Sequence, residues 1–182
     1  MRVTPTPLPG VLLLEPAVFA DERGFFFESF NQRTFNDAVG HAVNFVQDNH
    51  SCSQRGVLRG LHYQLPPHAQ GKLVRVVRGS AFDVAVDLRS GSATFGRWYG
   101  AVLDATNQRQ LWVPSGFAHG FLALEDETHF LYKTTDHYAR DCERAIVWND
   151  PSIGIEWPAL GMAPLLANKD ATAPGLSHAQ TF

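Results

Sequence analysis

From Phe82 to Leu88 the chain alternates strictly between apolar and other residues. Phe82, Val84, Val86 and Leu88 therefore share one face of a strand. Short β-patterned runs recur at Val11 to Glu15, Phe25 to Phe30, Phe45 to Ser53, Val57 to Gln64 and Leu73 to Arg78. Others span Phe95 to Leu103, Gln110 to Val113, His119 to Leu124, Phe130 to Thr134 and Ala145 to Trp148. Turn chemistry separates many of them, as at Asp21-Glu22-Arg23-Gly24, Pro66-Pro67 and Ser90-Gly91-Ser92. Asn31 to Val39 is the one clear helix, with Thr34 and Asp37 spaced as a capping-box variant. Roughly ten strands at regular spacing predict an all-β fold, a jelly-roll barrel with a few short helices. No repeat of solenoid period is present. One domain over 1–182 is expected, with a barrel core at about 11–158 and a C-terminal arm at about 159–182.

Composition narrows the class. The chain has 182 residues, 45% hydrophobic and 18% charged, enough for a sizeable core and unlike a disordered chain. A net charge of -3 argues against a general nucleic-acid or membrane binder. It leaves room for a local basic cluster that grips one anionic ligand. Two cysteines cannot build a disulfide scaffold, which points to a reduced, cytoplasmic setting. The apolar run Val11 to Leu14 is too short for a signal-peptide core or a membrane span.

The chemistry concentrates between Gly56 and Gly79. Arg59 and His62 precede the Pro66-Pro67 turn and Lys72 follows it. A lone histidine on an apolar strand is more often structural. Three basic groups on one hairpin are costly to bury unless paired or used. A base beside a buried cation can remove a proton next to a carbonyl and hold the enolate. On an ideal strand Arg59 and His62 face opposite sides. Either a bulge near Gly60 re-aims one of them, or they serve different ends of a ligand.

Further along, Pro114 to His119 has the form PxGxxH, similar to the second motif of cupin barrels, where the histidine ligates a metal. The first cupin motif is incomplete. His62 and His68 stand in for its histidines, and Lys72 falls near its glutamate. A cation there repels a divalent metal, so His119 reads as a substrate or structural residue, with no metal site expected. Tyr132 shares a face with Phe130 and Thr134 and reads as a core tyrosine or as a general acid, neutral at pH 7. Gln47 and Asn49 share a strand face, as ordinary polar residues or as contacts to a base or sugar. Tyr138 sits in a loop and could stack on a base, with Glu143 and Arg144 close behind. Arg23 and Glu28 flank an aromatic run, where each alone reads as a solvated charge. Asp170, in the arm next to Lys169, could orient His62.

Taken in order, RGLHYQ (59–64), QGKLVRVVRG (70–79), DVAVDLR (83–89), SATFGRW (92–98), LWVPSGFAHGF (111–121), YKTTDHY (132–138) and NDPSIGIEWP (149–158) resemble one family. It is the dTDP-4-dehydrorhamnose 3,5-epimerases, and the likeness runs from about residue 11 to residue 170. The resemblance implies a cupin-like fold, with His62 as base, Asp170 as its partner, Tyr132 as general acid and Lys72 as stabiliser of the enolate oxygen. It implies that Arg59 and Arg23 hold the diphosphate, Arg23 from a neighbouring subunit. Glu28, Gln47, Asn49, His119, Glu143 and Lys169 become further substrate contacts, and Tyr138 the aromatic that stacks on thymine. It also implies a homodimer with exchanged strands and a dTDP-4-keto-6-deoxy-hexose substrate. No cofactor is expected, because the ketone is itself the electron sink. Three alternatives stay open: a sibling inverting only C3 or only C5, a metal-dependent cupin enzyme, and a non-catalytic nucleotide-sugar binder.

Overall fold

The alternating runs become strands whose two faces sort into two packed sheets. The computed structural model describes residues 1–182. Its strands are β1 (Arg2–Pro5), β2 (Leu12–Glu15), β3 (Phe19–Asp21), β4 (Gly24–Phe26), β5 (Gln47–Ser53), β6 (Leu58–Gln64) and β7 (Lys72–Arg78). They continue with β8 (Ser80–Asp87), β9 (Trp98–Asp104), β10 (Gln110–Val113), β11 (Phe117–Ala123), β12 (Thr128–Thr134) and β13 (Glu143–Ala145). Two short helices, α1 (Gln32–Val39) and α2 (Asn168–Ala171), complete the set. A six-stranded sheet runs β1-β2-β10-β7-β12-β5 and a five-stranded sheet runs β13-β6-β11-β8-β9. β3 and β4 form a separate hairpin. The ladders do not pass from one large sheet to the other, so the jelly roll is an open, two-sheet form of the expected barrel.

The apolar clusters explain this layering. Val74, Val76, Leu111 and Phe130 of the six-stranded sheet meet Ala81, Ala85, Leu103, Phe117 and Phe121 of the five-stranded sheet in the central core. The outer face of the five-stranded sheet is covered by the C-terminal third, where Val84, Val86 and Leu88 pack on Ile153, Trp157, Leu176 and Phe182. The outer face of the six-stranded sheet is covered at one end by α1, through Phe35 against Leu14, Leu73 and Trp112. The apolar face expected on 82–88 thus points outward beneath the C-terminal segment. The opposite face, Ala81-Asp83-Ala85-Asp87, points into the core between the sheets.

Several boundaries differ from the sequence expectation, each for a local reason. The strand expected over 25–30 ends at Phe26. Phe30 instead leaves the hairpin to pack on Phe35 and Phe45. α1 is capped by Asn31, whose side chain accepts the Thr34 N–H at 3.2 Å, so the Thr34–Asp37 pair is not its cap. β1 lies before the barrel start expected at residue 11. The strand expected at 145–148 is β13, two residues earlier. The arm is tied down along its length, with Leu165 bonded to Gly56 and Leu58, and Val147 N–H to Pro174 O at 2.9 Å. No helix is long and apolar enough to cross a membrane.

One close approach shapes the site. In the β6–β11 ladder His119 pairs with His62 and Phe121 with Arg59, so two residues of β6 face one of β11. This is the bulge expected near Gly60, and it lets Arg59 and His62 line the same cavity. Gly60 has φ of 139°, and a Cβ there would meet Gly120 Cα at 2.6 Å. Gly60→Ala is expected to destabilise the fold by about 3 kcal/mol, from backbone strain plus overpacking. Urea denaturation checks this, and an unchanged midpoint would refute the steric argument.

Candidate active site

The cavity opens between the two sheets, has a volume of about 530 Å³ and is lined by polar and apolar side chains together. β6 brings Arg59 and His62 to it, β11 brings His119, and β13 brings Glu143, all from the five-stranded sheet. β5 brings Gln47 and Asn49, β7 brings Lys72, and β12 brings Tyr132, all from the six-stranded sheet. Tyr138 enters from a loop, and α2 in the arm supplies Lys169 and Asp170. Eleven of the thirteen residues singled out in the sequence therefore line one cavity.

His62 Nε2 lies 2.6 Å from Asp170 Oδ1, and Asp170 is buried. The Gly60 N–H points at the other carboxylate oxygen at 3.4 Å. Burial alone would raise Asp170, but the bond and charge of His62, the Gly60 N–H and Lys169 hold it below the ordinary carboxylate range. With Nε2–H donated to Asp170, the free lone pair sits on Nδ1. Lys72 Nζ donates to the His62 carbonyl at 3.2 Å. Burial pushes this ammonium down to about 8, against the raising charges of Asp83 and Glu143. Tyr132 is pushed up by burial, with Arg59 and Lys169 opposing, so it is a protonated phenol at neutral pH. His62 and Tyr132 stand on different sheets and so face the cavity from opposite sides.

The remaining contacts frame a ligand. Gln47 Nε2 donates to Asn49 Oδ1 at 2.9 Å, fixing both amides on one strand face. The Tyr138 N–H donates to Gln47 Oε1 at 3.1 Å, and its hydroxyl to Glu143 Oε2 at 3.1 Å. The Tyr138 side chain stays exposed at the mouth. Lys169 Nζ donates to Glu143 Oε1 at 3.0 Å. Burial would raise Glu143, but this lysine and the Tyr138 hydroxyl hold it low. Arg59 Nε donates to Ser53 Oγ at 3.1 Å, and the guanidinium remains open to an anion.

Arg23 and Glu28 lie elsewhere. Arg23 is at the tip of the β3–β4 hairpin, exposed and paired with Asp21 at 2.6 Å. Glu28 accepts from Asn31 beside α1. One residue of the site was missed. Asp83 is fully buried behind His119, whose Nε2 lies 2.7 Å from its Oδ1. The available signal was two acids on the same parity of a strand whose other face is wholly apolar. Asp87, the second of these, is structural, since it accepts from Arg89, Ser92 and Thr94.

The family model described as dTDP-4-dehydrorhamnose 3,5-epimerase matches residues 5–178. The chain is 59% identical over 182 residues to the dTDP-4-dehydrorhamnose 3,5-epimerase of Pseudomonas aeruginosa, covering 100% of this chain and 99% of that one. In structure it is similar to the dTDP-6-deoxy-D-glucose-3,5-epimerase of Legionella pneumophila, solved with dTDP-4-keto-L-rhamnose. That match has a TM-score of 0.94 at 47% identity, over 98% of this chain and 94% of that one. A 3′-monoepimerase from Streptomyces bikiniensis, solved with dTDP-quinovose, has a TM-score of 0.89 at 38% identity, over 95% and 87%. Fold and cavity together define an acid–base isomerase on a cupin-like jelly roll. The chain belongs to the dTDP-4-dehydrorhamnose 3,5-epimerase family.

Proposed function

We propose that this cavity epimerises C3 and C5 of dTDP-4-dehydro-6-deoxy-D-glucose to give dTDP-4-dehydro-L-rhamnose, for dTDP-L-rhamnose synthesis. The observation that carries this reading is the opposition of His62 and Tyr132 across the cavity, with Lys72 buried alongside His62. The C4 ketone acidifies the hydrogens on C3 and C5. His62 takes one of these protons on Nδ1, and Asp170 stabilises the imidazolium. Lys72 neutralises the oxyanion that forms at C4. Tyr132 then delivers its proton to the opposite face of the carbanion and inverts it. Solvent reprotonates the tyrosinate and takes the proton from His62, so the cycle closes with no net change in atoms or electrons. The same cycle serves the second carbon.

At the other end of the ligand, Arg59 holds the diphosphate, Tyr138 stacks on thymine, and Gln47, Asn49, His119, Glu143 and Lys169 position nucleotide and sugar. Arg23 and Glu28 reach a cavity only in a homodimer that exchanges the β3–β4 hairpin. Its Phe19, Phe25 and Phe26 are each more than 60% exposed in the single chain, an apolar surface that a second copy would bury. Analytical ultracentrifugation tests the dimer, and a monomer at micromolar concentration would remove Arg23 and Glu28 from the site. The free Cys52 and Cys142 fit a reducing, cytoplasmic location.

The test is incubation with the 4-keto sugar in heavy water, followed by NMR. Deuterium at both C3 and C5, with the L-sugar trapped by a reductase, supports double epimerisation. Inversion at one carbon places the protein with monoepimerases such as the Streptomyces bikiniensis relative. Tyr132→Phe is expected to keep exchange of a substrate proton while inversion falls about 100-fold or more, and equal loss of both would contradict the acid assignment. Because Lys72 must be cationic, kcat is expected to fall as pH rises through about 8, tenfold per unit beyond. A kcat that stays flat to pH 10 would remove Lys72 from that role.

A further inference from the structure

Asp83 is the buried group for which the proposed cycle has no use. It sits on β8 between Ala81 and Ala85, which belong to the central core, and is 0% exposed. One carboxylate oxygen meets His119 Nε2 at 2.7 Å, and the other has no hydrogen-bond partner. A buried carboxylate with an unanswered oxygen is costly, so its place in the core calls for a reason. Its surroundings supply one. His119 pairs across the ladder with His62, and the Lys72 ammonium rests on the His62 carbonyl. The carboxylate of Asp83, the imidazole of His119 and the ammonium of Lys72 are therefore gathered about His62, and all three are buried.

We propose that Asp83 is a positioning residue, the fixed counter-charge that keeps Lys72 cationic at the inner end of the cavity, with His119 as the ring that separates it from the substrate. This inference rests on the reading of Lys72 as the counter-cation of the enolate. The charged and titratable groups that line the cavity with Lys72 are Arg59, His62 and Tyr63 on β6, His119 on β11, Tyr132 on β12, Tyr138 in its loop, Glu143 on β13, and Lys169 with Asp170 on α2. Of the two carboxylates that raise Lys72 against burial, Asp83 is the stronger. Glu143 is already engaged by Lys169 and Tyr138. Asp170 is engaged by His62. Asp83 alone has an uncommitted oxygen, and its full burial means that its charge acts with little screening. Burial leaves Asp83 raised overall above the ordinary carboxylate range, and the charge and bond of His119 and then the charge of Lys72 work against that rise and favour its ionised form.

The experiment compares wild type with Asp83→Asn, whose amide oxygen can still accept from His119 Nε2–H. Two quantities are read: the pH profile of kcat, and the titration of Lys72 by NMR of protein labelled at lysine Cε. The expected result is that the alkaline limb and the Lys72 titration both move down by about one pH unit. The rate loss is then about sixfold larger at pH 8.5 than at pH 6.5. In a Lys72→Arg background, where the cation cannot deprotonate, Asp83→Asn should leave the shape of the profile unchanged. A uniform loss at every pH with Lys72 titrating as in wild type would overturn the proposal and leave Asp83 a packing residue. Should Asp83→Asn fail to fold, His119→Gln provides the second reading. Removing the ring that shares the Asp83 charge should move the Lys72 titration up, and no movement overturns the proposal. Because that titration needs no turnover, its failure is distinguishable from failure of the epimerase reading, which would show as a wild type inactive on the 4-keto sugar.

Discussion

His62→Ala is expected to abolish both turnover and deuterium incorporation at C3 and C5, each by at least about a thousandfold. The size follows from the site. The hydrogens next to a ketone are weak acids, and a neutral imidazole held by a buried carboxylate is the strongest base available at their side of the cavity. Tyr132 is a protonated phenol and Lys72 is cationic below about 8, so neither can substitute near neutrality. His62 is half-buried, its side chain lines the cavity, and the ladder bonds of β6 are made by backbone, so truncation leaves the two sheets intact. Binding of dTDP should survive, because Arg59, Tyr138 and the β5 amides are untouched. Calorimetry with dTDP together with exchange in heavy water checks both halves. Wild-type exchange in His62→Ala would transfer the role of base to another group, with His119, its neighbour across the ladder, the first candidate.

Asp170→Asn is expected to lower kcat by about 10²- to 10⁴-fold with little change in dTDP affinity. The carboxylate accepts from His62 Nε2–H, which leaves the lone pair on Nδ1, and it stabilises the cation formed when Nδ1 takes a proton. An amide in its place can present N–H to Nε2, which puts the proton on the wrong nitrogen. It also removes the charge that the imidazolium needs. Stability should change as well, with a defined sign. Folded Asp170 holds its proton less readily than an unfolded aspartate. Its stabilising contribution is therefore present at neutral pH and is lost as pH falls below about 4, towards and through its lower folded value. Wild type should exceed Asp170→Asn in stability near pH 7, with the gap closing in acid. A gap that is constant with pH would mean that the carboxylate contributes shape alone.

Much of this was legible along the chain because strand periodicity and turn residues are local properties. The alternation at 82–88, the Pro66-Pro67 turn and the paired amides Gln47 and Asn49 all sit where the pattern placed them. The conflict of parity between Arg59 and His62 was also legible, and Gly60 marked where it would be resolved. What stayed hidden had non-local causes. β3 pairs only with β4, and its exposed Phe19 gives no core-facing signal. Phe30 looked like the end of a strand because an aromatic run reads alike whether it pairs or packs under a helix. Asp83 falls on the parity opposite Phe82, Val84, Val86 and Leu88, and alternation by itself does not say whether that face is buried. Only the C-terminal segment, lying across the opposite face, shows that both sides of β8 are buried.

The sequence on its own supplied the repertoire: an all-β chain, a histidine and a lysine on one hairpin, a tyrosine on a later strand, and an acid near the end. These follow from residue type and period, which do not depend on distant contacts. Tertiary structure decided how they meet. His62 and Asp170, 108 positions apart, are closed into a 2.6 Å contact because the arm is fastened to β6 at Leu165 and to the barrel again at Pro174. The two-sheet sandwich, and no property of either strand, sets Tyr132 opposite His62. Apolar burial between and outside the sheets drives that arrangement, and burial is a property of the folded chain as a whole.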